Sequence, residues 1–127
     1  MTKRAAVRAG GIAAALAAAL FVALAGTALH RQQLAAAGIE LPWGAVAALV
    51  LLASVELLLG AASRSLVPPA VCGAACYALT GWWSTLETGK RLIIGDLAGN
   101  LWIFGTALVT VVMLIWCRRY ARGRTRP

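Results

Sequence analysis

The sequence predicts an all-α membrane protein, a four-transmembrane-helix antiparallel bundle built as one integral membrane domain over residues 1–127. Of the 127 residues, 61% are hydrophobic and only 13% are charged, which is about half the charged share of a soluble domain. Four segments are each close to the roughly 20 apolar residues that cross a bilayer. The formal charge of +8 lies at the chain ends and in short connections, so nucleic-acid binding is not expected.

The first predicted span covers about residues 9–29, where no formal charge occurs. A second interpretation is a signal peptide, because the basic start is followed by an Ala/Leu run and the small-residue triplet Ala23-Leu24-Ala25. Cleavage there would leave three spans and remove about residues 1–25. We favour a retained span, since the apolar run is longer than the usual 7–15 residues of a signal peptide.

The second and third spans are predicted at about 43–63 and 67–86. An outer loop over residues 30–42 ends in Pro42, which suits a helix start. A short inner turn around Arg64 joins the two spans, and Pro68 and Pro69 follow near the next helix start, where missing amide donors cost least. So short a connection predicts an antiparallel hairpin.

The fourth span is predicted at about 97–117, with Asp96 as its N-cap. A basic tail over residues 118–127 follows, and we expect it to be disordered.

Nine Lys and Arg residues flank the side that holds both termini and three flank the other side, so both termini are predicted to be cytoplasmic. Trp and Tyr are expected at the span ends, where headgroups meet hydrocarbon. They are Trp43, Trp82, Trp83 and Trp102 at the outer side, and Trp116 and Tyr120 at the inner side.

Glu56 is the one acidic residue inside a predicted span. An ionised carboxylate in hydrocarbon costs a few kcal/mol, so such residues face the bundle interior and often mark a function. The helical repeat places small residues on the same side of the second span, which is typical of a helix-packing face. Glu56 is therefore either a proton or cation site, or a neutral acid that fixes the packing of a neighbouring helix. We favour the packing role, because no basic residue within a span pairs with it.

Other polar residues carry weaker signals. Asp96 and Asn100 form a candidate outer polar cluster, which either lines a vestibule or simply caps the fourth helix. Cys72 and Cys76 share the depth of Glu56, but a structural zinc site takes four Cys or His ligands and the single histidine, His30, is predicted at the outer side. We expect no metal site and no cofactor. Cys117 is equally uninformative.

Motifs of known catalysis are missing from this sequence. It contains no G-x-S-x-G, no H-E-x-x-H and no phosphate-binding loop. One histidine leaves little room for His-dependent nucleophilic or metal chemistry. We therefore expect no enzymatic activity.

Three short motifs resemble an uncharacterised family of small four-span integral membrane proteins of high-GC Gram-positive bacteria. They are Pro42-Trp43-Gly44, Leu59-Gly60-Ala61, and Gly95-Asp96 with Gly99-Asn100 and Gly105. The alanine-rich composition, with Arg outnumbering Lys, suits a GC-rich genome. The resemblance covers about residues 42–117 and implies a fold and a bacterial cell membrane, but no activity and no role for Glu56.

Small multidrug transporters are a second comparison, because they are similar in length and span count and use one membrane-embedded Glu. Their acid lies in the first span, whereas the first span here has no ionisable residue. The sequence therefore favours a non-enzymatic accessory or scaffold subunit of a membrane assembly. The alternative is a homo-oligomeric, proton-coupled transporter that uses Glu56. The expected partners are the lipid bilayer and either another membrane protein or a second copy of this chain.

Overall fold

The computed structural model describes residues 2–29, 34–36, 39–41, 43–85 and 97–122. Within these ranges the chain forms four helices and one short antiparallel ribbon. The helices are α1 (Lys3–Leu29), α2 (Trp43–Ser63), α3 (Val67–Ser84) and α4 (Leu97–Arg122), and the strands are β1 (Leu34–Ala36) and β2 (Ile39–Leu41). The helices pack as a bundle, so the predicted all-α fold class is confirmed.

Three helical segments are long and apolar enough to cross a membrane: Lys3–Leu29, Trp43–Ser63 and Asn100–Arg119. Helix α3 is not among them. Its 18 residues span about 27 Å at 1.5 Å each, slightly less than a hydrocarbon core of about 30 Å. Two prolines, a threonine and two adjacent tryptophans also lower its hydropathy.

Helices α2 and α3 form the centre of the bundle, and α1 and α4 each pack against both of them. A Cβ built on Gly11 would lie 3.5 Å from Pro68 Cγ, which places the start of α1 beside the start of α3. Gly60 packs against Cys117, which places the end of α2 beside the end of α4. The four helices therefore run alternately up and down, and we call the end that holds the α2–α3 turn the basic end of the bundle.

The α2–α3 turn is closed by its own side chains. Arg64 adopts a left-handed backbone with φ of 49°, a conformation common directly after a helix but strained for a residue other than glycine. Ser63 Oγ donates to the carbonyl of Leu59 at 2.6 Å, and Ser65 Oγ accepts the Val67 amide at 3.2 Å. These bonds satisfy backbone groups at both helix ends, which explains why three residues suffice to reverse the chain.

Small side chains fill the interior and large apolar ones cover the outside. Fully buried residues include Ala15, Ala19, Ala23, Ala45, Ala48, Cys72 and Cys76. Large residues that are at least half exposed include Leu16, Phe21, Leu58, Phe104, Leu108 and Ile115. Close helix approach through small residues is typical of packing in lipid, where the apolar exterior faces acyl chains.

Two connecting segments differ from the prediction. The predicted outer loop contains the β1–β2 ribbon, in which Leu34 pairs with Leu41 and Ala36 pairs with Ile39. The predicted tail is helical at its start, since α4 continues to Arg122. The Arg119 guanidinium lies 4.6 Å from the centre of the Trp116 ring, a cation–π contact that stabilises this added turn. Residues 123–127 lie outside the described residues.

Trp102 lies in the second turn of α4, near the end predicted for it, but its side chain is fully buried inside the bundle. Its ring fills the space beside Gly26 of α1, where a Cβ would collide with the ring carbons. A glycine opposite the tryptophan thus lets the largest side chain of α4 enter an interior in which most of the other buried residues are small. The Nε1 atom has no hydrogen-bond partner within the described part of the chain.

Candidate functional site

Glu56 lies on the inner face of α2 and is fully buried. The same face carries the other buried residues of this helix, which are Gly44, Ala45, Ala48, Leu52 and Gly60. Leu58, on the opposite side, is 67% exposed. Leu58 therefore faces outward while the acid points inward, because a carboxyl group is expensive to place against hydrocarbon.

Gly73 gives α3 its closest approach to Glu56. A Cβ built on this glycine would lie 2.5 Å from Glu56 Oε1 and would also collide with the side chain of Thr110. Atoms that are not bonded do not approach so closely, so any larger residue would push α3 away from both α2 and α4. The glycine is thus what allows three helices to meet at the carboxyl group.

Thr110 of α4 is the hydrogen-bond partner of the acid. Its Oγ1 lies 2.8 Å from Glu56 Oε1 and also 2.8 Å from the backbone oxygen of Thr106. A hydroxyl group has one hydrogen to donate, and a backbone carbonyl can only accept. As a donor, Thr110 shares its one hydrogen between Glu56 Oε1 and the Thr106 oxygen. When Glu56 is protonated it donates to Thr110 instead, and the Thr110 hydrogen then goes wholly to Thr106, so each contact has its own hydrogen.

The second carboxyl oxygen supports the same protonation state. Glu56 Oε2 is buried and has no hydrogen-bond partner among the residues that the structure describes. An unpaired oxygen of a neutral acid costs far less in an apolar interior than an unpaired oxygen of a carboxylate. The geometry therefore fits a neutral carboxylic acid that links α2 to α4.

The three cysteines lie around this acid. Cys72 and Cys76 of α3 are fully buried, and Cys117 of α4 is 1% exposed. Cys117 Sγ donates a weak hydrogen bond to the backbone oxygen of Glu56 at 3.8 Å. All three are free thiols. The described residues contain no group of three or more His, Cys, Asp or Glu that could hold a metal ion.

The candidate outer polar cluster is only half described. Asn100 lies in the first turn of α4 and is exposed. Asp96, with which it was expected to act, lies outside the described residues, as do His30, Lys90 and Arg91. The structure therefore brings Asn100 into no cluster with another described residue.

The basic end is the second polar feature of the molecule. Every Lys and Arg residue that the structure describes lies at this end: Lys3, Arg4, Arg8, Arg64, Arg118, Arg119 and Arg122. The described acids are placed elsewhere, since Glu56 is inside the bundle and Glu40 is in the ribbon that follows the opposite end of α1. This asymmetry is a feature of the described residues alone.

The acid could be predicted from the sequence, but the residues that contact it could not. Thr110 and Cys117 fall on one side of the α4 helical repeat, and Gly73 adjoins Cys72, yet nothing in the sequence pairs them with Glu56. The useful signal is the presence of an acid, a glycine and a hydroxyl group at similar heights along three neighbouring helices. Comparisons with protein families, with curated proteins and with solved structures give no match to this chain.

Proposed function

We propose that this chain is a non-enzymatic accessory or scaffold subunit of a membrane assembly in a bacterial cell membrane. The observation that carries the proposal is the closed interior around Glu56. The carboxyl group is fully buried and is enclosed by Gly73 and Thr110, so it links helices rather than opening to a passage. The exterior of the membrane-crossing helices offers apolar side chains to lipid or to a partner helix.

The orientation proposed for this subunit has both termini in the cytoplasm. It is supported by the basic end, where all the described Lys and Arg residues lie, because basic residues in short flanking segments stay on the cytoplasmic side. The test fuses a reporter that is active only outside the cytoplasm after Pro127, with a second fusion in the connection between α1 and α2. The proposal predicts a silent first fusion and an active second one, and the reverse pattern would overturn the orientation.

Helix α1 is proposed to remain in the mature protein. It supports the core, because Ala19 and Ala23 are fully buried and Gly26 seats the Trp102 ring. Removal of residues 1–25 would expose this interior. Intact mass of the protein isolated from membranes tests the point, since a mass lower by the first 25 residues would show cleavage.

The scaffold role is tested by identifying the polypeptides that co-purify with the protein when it is extracted from the membrane. The full chain, with a tag, is extracted directly into native nanodiscs, and its mass and composition are measured. The proposal predicts a second polypeptide at a fixed ratio to this chain in repeated preparations. An exclusive homodimer would contradict it and favour transport.

Proton-coupled transport by a homo-oligomer is the second candidate, and one observation favours it. Glu56 Oε2 is a buried oxygen without a described partner. The other carboxyl oxygen is hydrogen-bonded to Thr110, whose hydroxyl also contacts the backbone carbonyl of Thr106. Proton flux into liposomes would distinguish the two functions. Transport requires flux that Glu56→Gln abolishes while Thr80→Val, a buried change in α3, leaves it intact.

A further inference from the structure

A groove of about 470 Å³ opens at the basic end of the bundle, between the first turns of α1 and the α2–α3 turn. This volume is within the usual range for small-ligand sites. Its lining is amphipathic. Ile12, Val67 and Pro68 supply an apolar wall, and Arg8, Ser63 and Ser65 supply polar groups.

Arg8 is the charged group of this groove. It is exposed on α1, and the described acids lie elsewhere, so no described carboxylate competes for its guanidinium. The planar guanidinium offers paired N–H donors that match the oxygens of a phosphate group. Arg8 therefore places a strong phosphate-binding group at the edge of the groove.

Ser65 adds a hydrogen-bond donor. Its Oγ accepts the Val67 amide at 3.2 Å, which holds the side chain in place and leaves the hydroxyl hydrogen for another acceptor. Ser63 contributes differently, because its hydroxyl already donates to the carbonyl of Leu59 at 2.6 Å. An anion in the groove thus meets one cation and one positioned hydroxyl.

The apolar wall continues from this polar edge toward the membrane. Val67, the first residue of α3, is 53% exposed, and Ile12, in the third turn of α1, is 38% exposed. A soluble phosphate compound would gain nothing from such a wall. A phosphate that carries an acyl chain would use both parts of the groove, since the chain removes Val67 and Ile12 from water.

We infer that this groove binds one anionic phospholipid, with its phosphate at Arg8 and Ser65 and an acyl chain along Ile12 and Val67. Cationic clusters on the cytoplasmic side of membrane helices attract such lipids, and the groove gives that attraction a defined position. The inference requires that the chain be embedded in a bilayer, but it does not depend on the scaffold role. It goes beyond that role by naming a ligand class and a site.

The test uses native mass spectrometry of the full-length protein in mild detergent, titrated with phosphatidylglycerol, phosphatidylcholine or inorganic phosphate. Arg8→Gln removes the proposed phosphate ligand. Arg118→Gln is the matched control, because Arg118 is an exposed cation at the same end that does not line the groove. Arg8→Lys keeps the charge but loses the paired donors.

The wild-type protein is expected to retain one phosphatidylglycerol in preference to phosphatidylcholine. Arg8→Gln should weaken that binding at least about tenfold, because charged hydrogen bonds are lost, and Arg118→Gln by less than about fivefold, as for a cation that acts only through the surface field. The loss of phosphatidylglycerol affinity for Arg8→Lys should lie between the losses for these two variants. These results together would support the site.

Equal weakening by Arg8→Gln and Arg118→Gln would overturn the inference, since it would show diffuse attraction. Equal binding of phosphatidylcholine, or competition by inorganic phosphate at comparable concentration, would overturn it as well. Alkaline carbonate extraction of membranes tests whether the protein is embedded in the bilayer, independently of whether the groove binds a lipid. Release of the protein by carbonate would contradict membrane embedding itself, whereas a retained protein with equal variants would contradict the lipid site alone.

Discussion

The central α2–α3 pair has two different sides. The side that faces α1 is closed by the methyl groups of small α1 residues, with Ala15, Ala19 and Ala23 fully buried. The side that faces α4 is closed around a carboxyl group, with the Glu56–Thr110 hydrogen bond at its centre. Both sides achieve close approach through small residues, but only the α4 side adds a directional bond.

This difference shows what an acid contributes to a bundle in lipid. Small apolar residues allow helices to approach, yet they permit a helix to slide or rotate at little cost, since lipid tails are as apolar as the core. A hydrogen bond between α2 and α4 is satisfied at one position only. The acid therefore specifies how α4 sits on the bundle, and α1 is held mainly by shape.

The largest expected effect comes from filling the space at the carboxyl group. Gly73→Val places a branched side chain against Glu56 and Thr110, and overpacking of this kind costs about 3 kcal/mol. The matched control is Gly10→Val in α1, because a Cβ there meets nothing within 4 Å. Unfolding in mixed micelles should show a large loss for Gly73→Val and little change for Gly10→Val, and similar losses would refute the close contact.

A smaller effect is expected from removing the carboxyl group. Glu56→Ala leaves a cavity and removes the hydrogen bond to Thr110, with a loss of about 2 kcal/mol. Glu56→Gln keeps the size and an N–H donor toward Thr110, so it should cost less than about 1 kcal/mol. The same unfolding assay compares the two. A loss for Gln as large as for Ala would mean that the acid, not its hydrogen bond and volume, stabilises the fold.

The smallest effect is expected from a substitution that removes only the hydrogen bond between α2 and α4. Thr110→Val removes the bond to Glu56 at nearly constant volume, and such bonds in membrane proteins average about 0.6 kcal/mol with a maximum near 1.7. Thr80→Val is the control, since its buried hydroxyl donates only within its own helix, to Tyr77 O at 3.0 Å. Thr110→Val should destabilise more than Thr80→Val, and a double-mutant cycle with Glu56→Gln should show coupling. Additive losses would contradict a direct bond.

The helices could be predicted from the sequence because each lies in a long apolar segment bounded by prolines, charges or turn residues. The inward direction of Glu56 could also be predicted, since the cost of exposing a carboxyl group to lipid dominates other preferences. Identifying Thr110 as its partner was not possible, because helical repeats describe one helix at a time. Several hydroxyl groups at similar depth were equally plausible partners.

Two features that the sequence did not predict, the burial of Trp102 and the helical start of the basic tail, have physical causes. Trp102 is buried because Gly26 leaves a recess opposite it, and this pairing between distant residues outweighs the preference of tryptophan for the membrane boundary. The segment after Cys117 looked like a disordered tail because it is basic. Its first residues continue α4 instead, where Arg119 stacks on Trp116 and Arg side chains favour a helix C-terminus.

The protonation state of Glu56 tests the account most directly. Infrared difference spectroscopy of the protein in nanodiscs detects the carbonyl stretch of a protonated carboxyl group, and Glu56→Gln identifies which band belongs to this residue. We expect a band that is present and unchanged from about pH 5 to pH 8, because a neutral acid gives both close contacts of Thr110 their own hydrogen and leaves no charge on the buried, unpaired Oε2. A carboxylate at pH 7, or a band that disappears within this range, would contradict the packing role and favour proton transfer through Glu56.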